Sequence, residues 1–267
     1  ITETPENLAS KSQISFELGA KFRIEERFEA IGGCAANVAV GLAKLGVFSA
    51  CYSHIGDDLV SDWVKKELKK NGVDTSLISQ EKKCPSDMSA IVVDAPSGER
   101  IIFSNQKANG KLEIEPEKIK DYEWFFVGDL HGRWENDLDI IFRTAKENKI
   151  KIAYNPRQSN IHDNAGYIAQ KIGECELVFL NKDESIEIVS NFDDPFKKEE
   201  LDSEKFLLEK LKSLGAKIVT ITDGKRGAWT TDGEKIFFVK GLEVGAHDST
   251  GAGDAYASAF LAAYLKG

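Results

Sequence analysis

The sequence predicts an α/β fold: a mainly parallel central sheet covered by helices on both faces, with a small β-sheet set apart from it. Three observations carry this. From residue 124 onward, short apolar runs alternate with longer stretches of helical spacing, the rhythm of a parallel sheet with helical crossovers. Two glycine-bearing junctions, at 32–33 and 251–253, each open a helix of small residues. Alternating apolar and polar residues in 14–31 and again in 88–103 read as strands of a separate small sheet.

Taken in order, residues 1–12 are polar and irregular and read as loop. Ile14-Ser15-Phe16-Glu17-Leu18 and Phe22-Arg23-Ile24 alternate as strands do. Gly32 and Gly33 then punctuate the chain before a helix of small residues that Gly46 closes in the manner of a C-cap. Its small faces allow close approach to a neighbour. Residues 48–55 read as a buried strand, and Gly56-Asp57-Asp58 turns into a helix over 59–71 closed by Gly72. Residues 88–93, a turn at Pro96-Ser97-Gly98, and 100–103 make a hairpin. Strands follow at 124–127, 150–154, 177–180 and 217–222, with helices near 134–148, 163–173, 182–190 and 202–214. A second hairpin pairs 227–231 with 235–239. The acidic segment 193–204 reads as a solvated loop and helix start.

Composition narrows the function. The chain has 267 residues, 42% of them hydrophobic, enough for one large core or two small ones. A net charge of −9 without any Lys/Arg block argues against a nucleic-acid surface. No apolar run reaches membrane-spanning length, and no signal-peptide pattern opens the chain. The four cysteines, Cys34, Cys51, Cys84 and Cys175, are widely spaced and fit reduced thiols of a cytoplasmic protein better than disulfides or a zinc site. The four histidines show no metal-ligand spacing. Walker A and G-x-G-x-x-G dinucleotide patterns are absent.

In a parallel sheet ligands bind beyond the carboxyl ends of the strands. The polar residues there are Asp129 and His131, Asn155 and Arg157, Asn181 and Glu184, and Thr222, Asp223 and Gly224. The chain is organised around a later stretch, His247-Asp248-Ser249-Thr250-Gly251-Ala252-Gly253-Asp254, which feeds the final helix. Its glycines leave room for a ligand, and the first amides of the helix offer an anion site. Asp254 in the first turn reads either as a favourable first-turn acid or as a general base at the lip of a phosphate cradle. Asn37 reads as a satisfied amide or as a hydroxyl-binding side chain. Asn181 reads as a helix cap or a cofactor contact, and Arg157 as a phosphate fork or a surface ion pair.

Two stretches, G-G-x-x-x-N-x-A-x-x-L-A-x-L-G from Gly32 and D-S-T-G-A-G-D from Asp248, resemble the two signatures of the ribokinase-like (PfkB) family of sugar and nucleoside kinases. Asn181–Glu184 resembles the family's N-x-x-E, Thr222–Gly227 its T-x-G-x-x-G, and Asn155–Arg157 its N-x-R. Gly56-Asp57-Asp58 resembles its G-x-D, and Ala108-Asn109 its G-A-N, with Lys107 in place of the glycine.

The resemblance implies a ribokinase-like three-layer α/β/α fold with a mainly parallel central sheet and a small β-sheet lid over the sugar. It implies ATP-dependent phosphorylation of a hydroxymethyl group. Asp254 would be the general base, and Gly251, Ala252 and Gly253 the anion hole. Gly32, Gly33, Asn37, Asp129 and Arg157 would bind substrate, and Asn181, Thr222, Gly224 and Gly227 the nucleotide. Glu184 would help place Mg2+, and Asp248 and Thr250 a K+ ion. A homodimer through the lid sheet follows by the same analogy, with neither nucleic acid nor membrane as partner.

The expected organisation is one kinase domain over 1–267, with lid strands within 13–31 and 86–106. It lacks the family's first substrate-gripping strand and its last adenine-pocket segment, and so reads as incomplete at both ends. The rival expectations are a nucleoside (adenosine-type) kinase and a non-catalytic sugar- or nucleotide-binding protein on the same fold.

Overall fold

The computed structural model describes residues 19–21, 23–24, 26–93, 100–192, 196–243 and 250–267. Two compact units divide the chain, Ile1–Ala30 and Ile31–Gly267. In the first, the described residues form neither helix nor strand, and Arg27 pairs with Glu29 at 2.7 Å. The strands expected within 13–31 are therefore not found at 19–31, and the remainder of that segment lies outside the described residues. Alternation over three residues is weak evidence for a strand when no partner edge is specified.

The second unit is built on six strands in the order β10-β9-β8-β7-β6-β5. These are β5 (Trp124–Val127), β6 (Lys151–Tyr154), β7 (Leu177–Asn181), β8 (Ile218–Asp223), β9 (Gly227–Thr231) and β10 (Ile236–Val239). From β5 to β8 the pairing is parallel; β9 and β10 add antiparallel edges. Parallel strands buried on both faces read as apolar runs, and β7 does over its four buried residues, Leu177 to Leu180. Val178 and Leu180 enter one core; Leu177 and Phe179 enter the other.

The first core packs α4 (Trp134–Asn148), α5 (Gln158–Ile172), α6 (Lys182–Ser190) and α8 (Glu204–Lys212) against the sheet. The second packs α1 (Cys34–Lys44) and α9 (Ala252–Lys266) on the opposite face. Helix, sheet and helix thus form three layers. Across α1 lies a third cluster that includes Leu68 of α2 (Leu59–Lys70) and Ile78 of the short parallel pair β1 (Ser53–Ile55) and β2 (Ile78–Gln80). Short helices at α3 (Pro116–Ile119) and α7 (Lys198–Leu201) complete the set.

A separate antiparallel hairpin joins β3 (Met88–Val93) to β4 (Arg100–Asn105), with Ala90 opposite Phe103. Met88, Ile91, Val92, Val93, Ile102 and Phe103 are all exposed on it. Its base is fixed by Asp87, whose carboxylate accepts the amides of Lys107, Ala108 and Asn109 at 2.6, 2.8 and 3.0 Å.

Other boundaries move for physical reasons. The strand expected over 48–55 shrinks to Ser53–Ile55 with an isolated bridge at Ala50, because its partner β2 is itself three residues long. Helix α5 begins at Gln158 rather than near 163, kinked at Asn164, whose side chain caps Tyr167 at 3.1 Å. The helix expected near 202–214 begins at Glu204, where Ser203 caps α8 by accepting the Phe206 amide. Glu204 is buried rather than solvated, paired with Lys182 and Arg226. Among the described residues no helix is long and apolar enough to cross a membrane.

Candidate active site

The tightest seam in the site is α1 against α9. A Cβ on Gly41 would lie 2.3 Å from Ser258 Oγ, so only glycine permits the approach. The seam brings the two signature stretches together: Asn37 donates through Nδ2 to Asp254 Oδ2 at 2.7 Å. The N-cap of α9 is Gly251 in the left-handed region at φ 81°, and among the described residues no side-chain hydrogen bond caps the helix. Ala252 and Gly253 are exposed, and a Cβ on Gly253 would meet nothing within 4 Å. The first amides of a 15-residue helix thus face outward at the positive end of the dipole.

Cys34, the first residue of α1, reaches across to the sheet. Its thiol donates to Asn155 Oδ1 at 3.4 Å, while Asn155 Nδ2 donates to the Phe179 carbonyl at 2.9 Å. Burial, then the charges of Asp254 and Asp129, push the Cys34 thiol far above its ordinary range. The same electrostatics place Asp129 and Asp254 around one buried thiol. Gly128 makes room, since a Cβ there would sit 3.0 Å from Cys34 Sγ. Sequence reasoning treated Cys34 only as a reduced thiol; its place directly after the paired glycines was the available signal. Gly32 and Gly33 are exposed, and Gly33 takes φ 92° as the N-cap of α1.

Beyond β5 and β6, Arg157 is hydrogen-bonded to His131 Nδ1 at 3.3 Å and to Gln106 Oε1 at 3.2 Å. These are neutral partners, and the ion pairs among the described residues do not include Arg157. Burial and the Arg157 guanidinium hold His131 down to about 4, with Asp87 opposing. Gln106, at the base of the hairpin, was not legible in the sequence.

Asn181 and Glu184 form a full capping box: Asn181 Oδ1 accepts the Glu184 amide, and Glu184 Oε2 accepts the Asn181 amide, both at 2.8 Å. Burial pushes the Glu184 carboxyl up to about 8; the Asn181 amide opposes this, while Asp129, Asp183 and Glu187 raise it further. Thr222 lies in register with Asn181 across β7 and β8 and donates to the Leu180 carbonyl at 3.5 Å. Gly224 and Gly227 take φ 46° and 119°, and a Cβ on Gly227 would strike the Val239 carbonyl. Lys182 braces this turn, with Asp202, Glu204 and Asp223 at 2.6, 2.9 and 3.8 Å. Thr250 directly precedes Gly251 and is exposed; Asp248 lies outside the described residues.

The arrangement is thus an acid at an uncapped helix tip, with hard oxygen donors and a glycine turn at neighbouring strand ends. Oxygen donors of this kind suit magnesium, which takes few carboxylates and keeps waters and phosphate oxygens.

Comparison with known proteins gives a consistent picture. The model of the pfkB family carbohydrate kinases matches residues 14–267. An ATP-dependent 6-phosphofructokinase of Thermoanaerobacterium thermosaccharolyticum is 26% identical, with 95% of this chain and 78% of that protein covered. A ribokinase of Haemophilus influenzae is 27% identical over 89% of this chain and 75% of its own length. Among solved structures, a putative ribokinase II from E. coli in complex with ATP and Mg2+ superposes with a TM-score of 0.75 at 20% identity, covering 92% of this chain and 82% of that one. This chain belongs to the pfkB family of carbohydrate kinases, phosphotransferases that act on alcohol groups.

Proposed function

We propose that this protein catalyses ATP-dependent phosphorylation of a hydroxymethyl group on a sugar or sugar-like small molecule. Asp254 is the general base, and the amides at Gly251, Ala252 and Gly253 form the anion hole. One observation supports the reading above others: Asp254 stands in the first turn of an open, uncapped helix, held by a residue of the other signature stretch.

The chemistry follows from what phosphoryl transfer demands, which is positioning and charge stabilisation. The outward amides of α9 stabilise charge on the terminal phosphoryl group. A helix dipole alone contributes at most about 2 kcal/mol, so further charge neutralisation is required. Magnesium, when bound, supplies it at the phosphate oxygens. Glu184 would help place that ion through a water, and Thr250 with Asp248 would hold a potassium ion. Gly32, Gly33, Asp129 and Arg157 face the substrate in this reading; Asn181, Thr222, Gly224 and Gly227 receive the nucleotide. Asp254 accepts the hydroxyl proton as the oxygen attacks in line.

The test is Asp254→Asn, assayed for ATP consumption over a panel of sugars, sugar phosphates and nucleosides. Turnover should fall by about 10²–10⁴, the usual weight of a general base, with nucleotide binding retained. A variant with wild-type turnover would remove Asp254 from the role. Turnover confined to nucleosides would move the substrate class from sugars to nucleosides.

A further inference from the structure

We propose that helix α1 positions the general base: the Asn37 amide holds Asp254 Oδ2 and thereby leaves Oδ1 to receive the substrate proton. This rests on the reading of Asp254 as the base. It gives Asn37 a role through Asp254 rather than solely as a ligand for sugar hydroxyls.

The contact itself is short, Nδ2 to Oδ2 at 2.7 Å, the length of a hydrogen bond to an ionised acceptor. Both side chains come from rigid helices rather than loops. The two helices pack closely at Gly41, where a Cβ would lie 2.3 Å from Ser258 Oγ. Ser258 Oγ is itself held by the Ala255 carbonyl at 2.9 Å. Gly251 lies beside the pair: a Cβ there would sit in ordinary contact, 3.8 Å from Asn37 Nδ2 and 4.0 Å from Asp254 Oδ2.

The identity of the donor matters. Among the described residues no cation pairs with Asp254. The groups around it are Asn37 and Cys34 from α1 and, across the shared thiol, Asp129 beyond β5. A lysine or arginine at this position would orient the carboxylate but favour its ionised form and weaken it as a base. A neutral amide orients it without that charge. A carboxylate with one oxygen engaged presents the other at a fixed angle, the pre-organisation that proton transfer requires.

The experiment is a cycle of Asn37→Ala, Asp254→Asn and the double variant, with kcat and both KM values measured on the best substrate. The expected result is a fall in kcat of about tenfold or more in Asn37→Ala with KM values within about twofold, and no further loss when it is added to Asp254→Asn. Asn37→Leu, which fills the volume without a donor, should repeat the kcat loss should the alanine variant fold poorly. If Asn37→Ala raises only the sugar KM, or if the two losses multiply, Asn37 is a substrate ligand and the inference falls. If Asp254→Asn itself turns over normally, the prior reading of the base is what fails.

Discussion

Three helix N-termini in this molecule meet the same physical demand in two ways. At α2, Asp58 and Ser61 form a capping box, and the Asp58 carboxylate also takes the Ser86 amide and hydroxyl at 2.8 and 2.7 Å. At α6, Asn181 and Glu184 do the same. At α9, Gly251 offers no side chain, and the amides stay open. A glycine N-cap forgoes only a few tenths of a kcal/mol, roughly, relative to Asn or Asp. The difference separates helix ends that the fold itself satisfies from the one that, in the proposed reading, is left for a ligand. Helix α9 is nonetheless seated on the sheet, through Ala257, Leu261 and Ala262.

The largest test of the contrast is Gly253→Asp. Its Cβ has open space. Replacing glycine inside a helix and adding a first-turn acid should stabilise the protein by about 1 kcal/mol. The same carboxylate repels phosphate, so turnover should fall by at least about 10²-fold, the weight of a lost anion-hole donor. Calorimetry and an ATP-consumption assay read the two effects, and their opposite signs are the signature. If activity and stability rise together, the open tip is not the phosphate site.

A smaller effect is expected where the cap is structural. Asp58→Ala removes acceptors from Ser61 and Ser86 and should cost about 1–2 kcal/mol. The melting temperature should drop by about 2–4 °C for each kcal/mol. An unchanged melting curve would show that the capping box at α2 is not a stabilising device.

The smallest effect belongs to His131, whose neutrality is enforced by burial and Arg157. Its folded value is depressed from 6.5 to about 4. Between those values the unfolded chain binds the proton and the folded chain does not. The contribution to stability is therefore present above pH 6.5 and lost as pH falls toward 4. His131→Asn should flatten the acid slope of stability in that window, read by urea titration at several pH values. A slope identical to wild type would mean that His131 does not titrate against folding.

Much of the parallel core was legible because its signals are local. The strand at 124–127 and the helices at 134–148 and 182–190 appear at the expected bounds. The glycine junctions at 32–33 and 251–253 both open helices. What failed was short and partner-dependent: the strand expected at 22–24, whose described residues are in no strand, and the truncated strand at Ser53–Ile55; the strand expected at 14–18 lies outside the described residues. The site divides in the same way. Asp254, Asn37, Asn181 and Glu184 were legible from type and position. Cys34, Asp87 and Gln106 were not, since each matters through a contact with a residue distant in the chain.

The sequence by itself determined the sheet rhythm, the turn glycines and the kinds of chemical group at each strand end, because propensity, periodicity and backbone freedom act over a few residues. Only the tertiary structure decided that Asn37 meets Asp254 across 217 positions, that Asn181 spends its side chain on a helix cap, and that Arg157 rests on neutral partners. Those outcomes depend on how closely helices pack and which groups share a buried space, and no local run of residues carries that information.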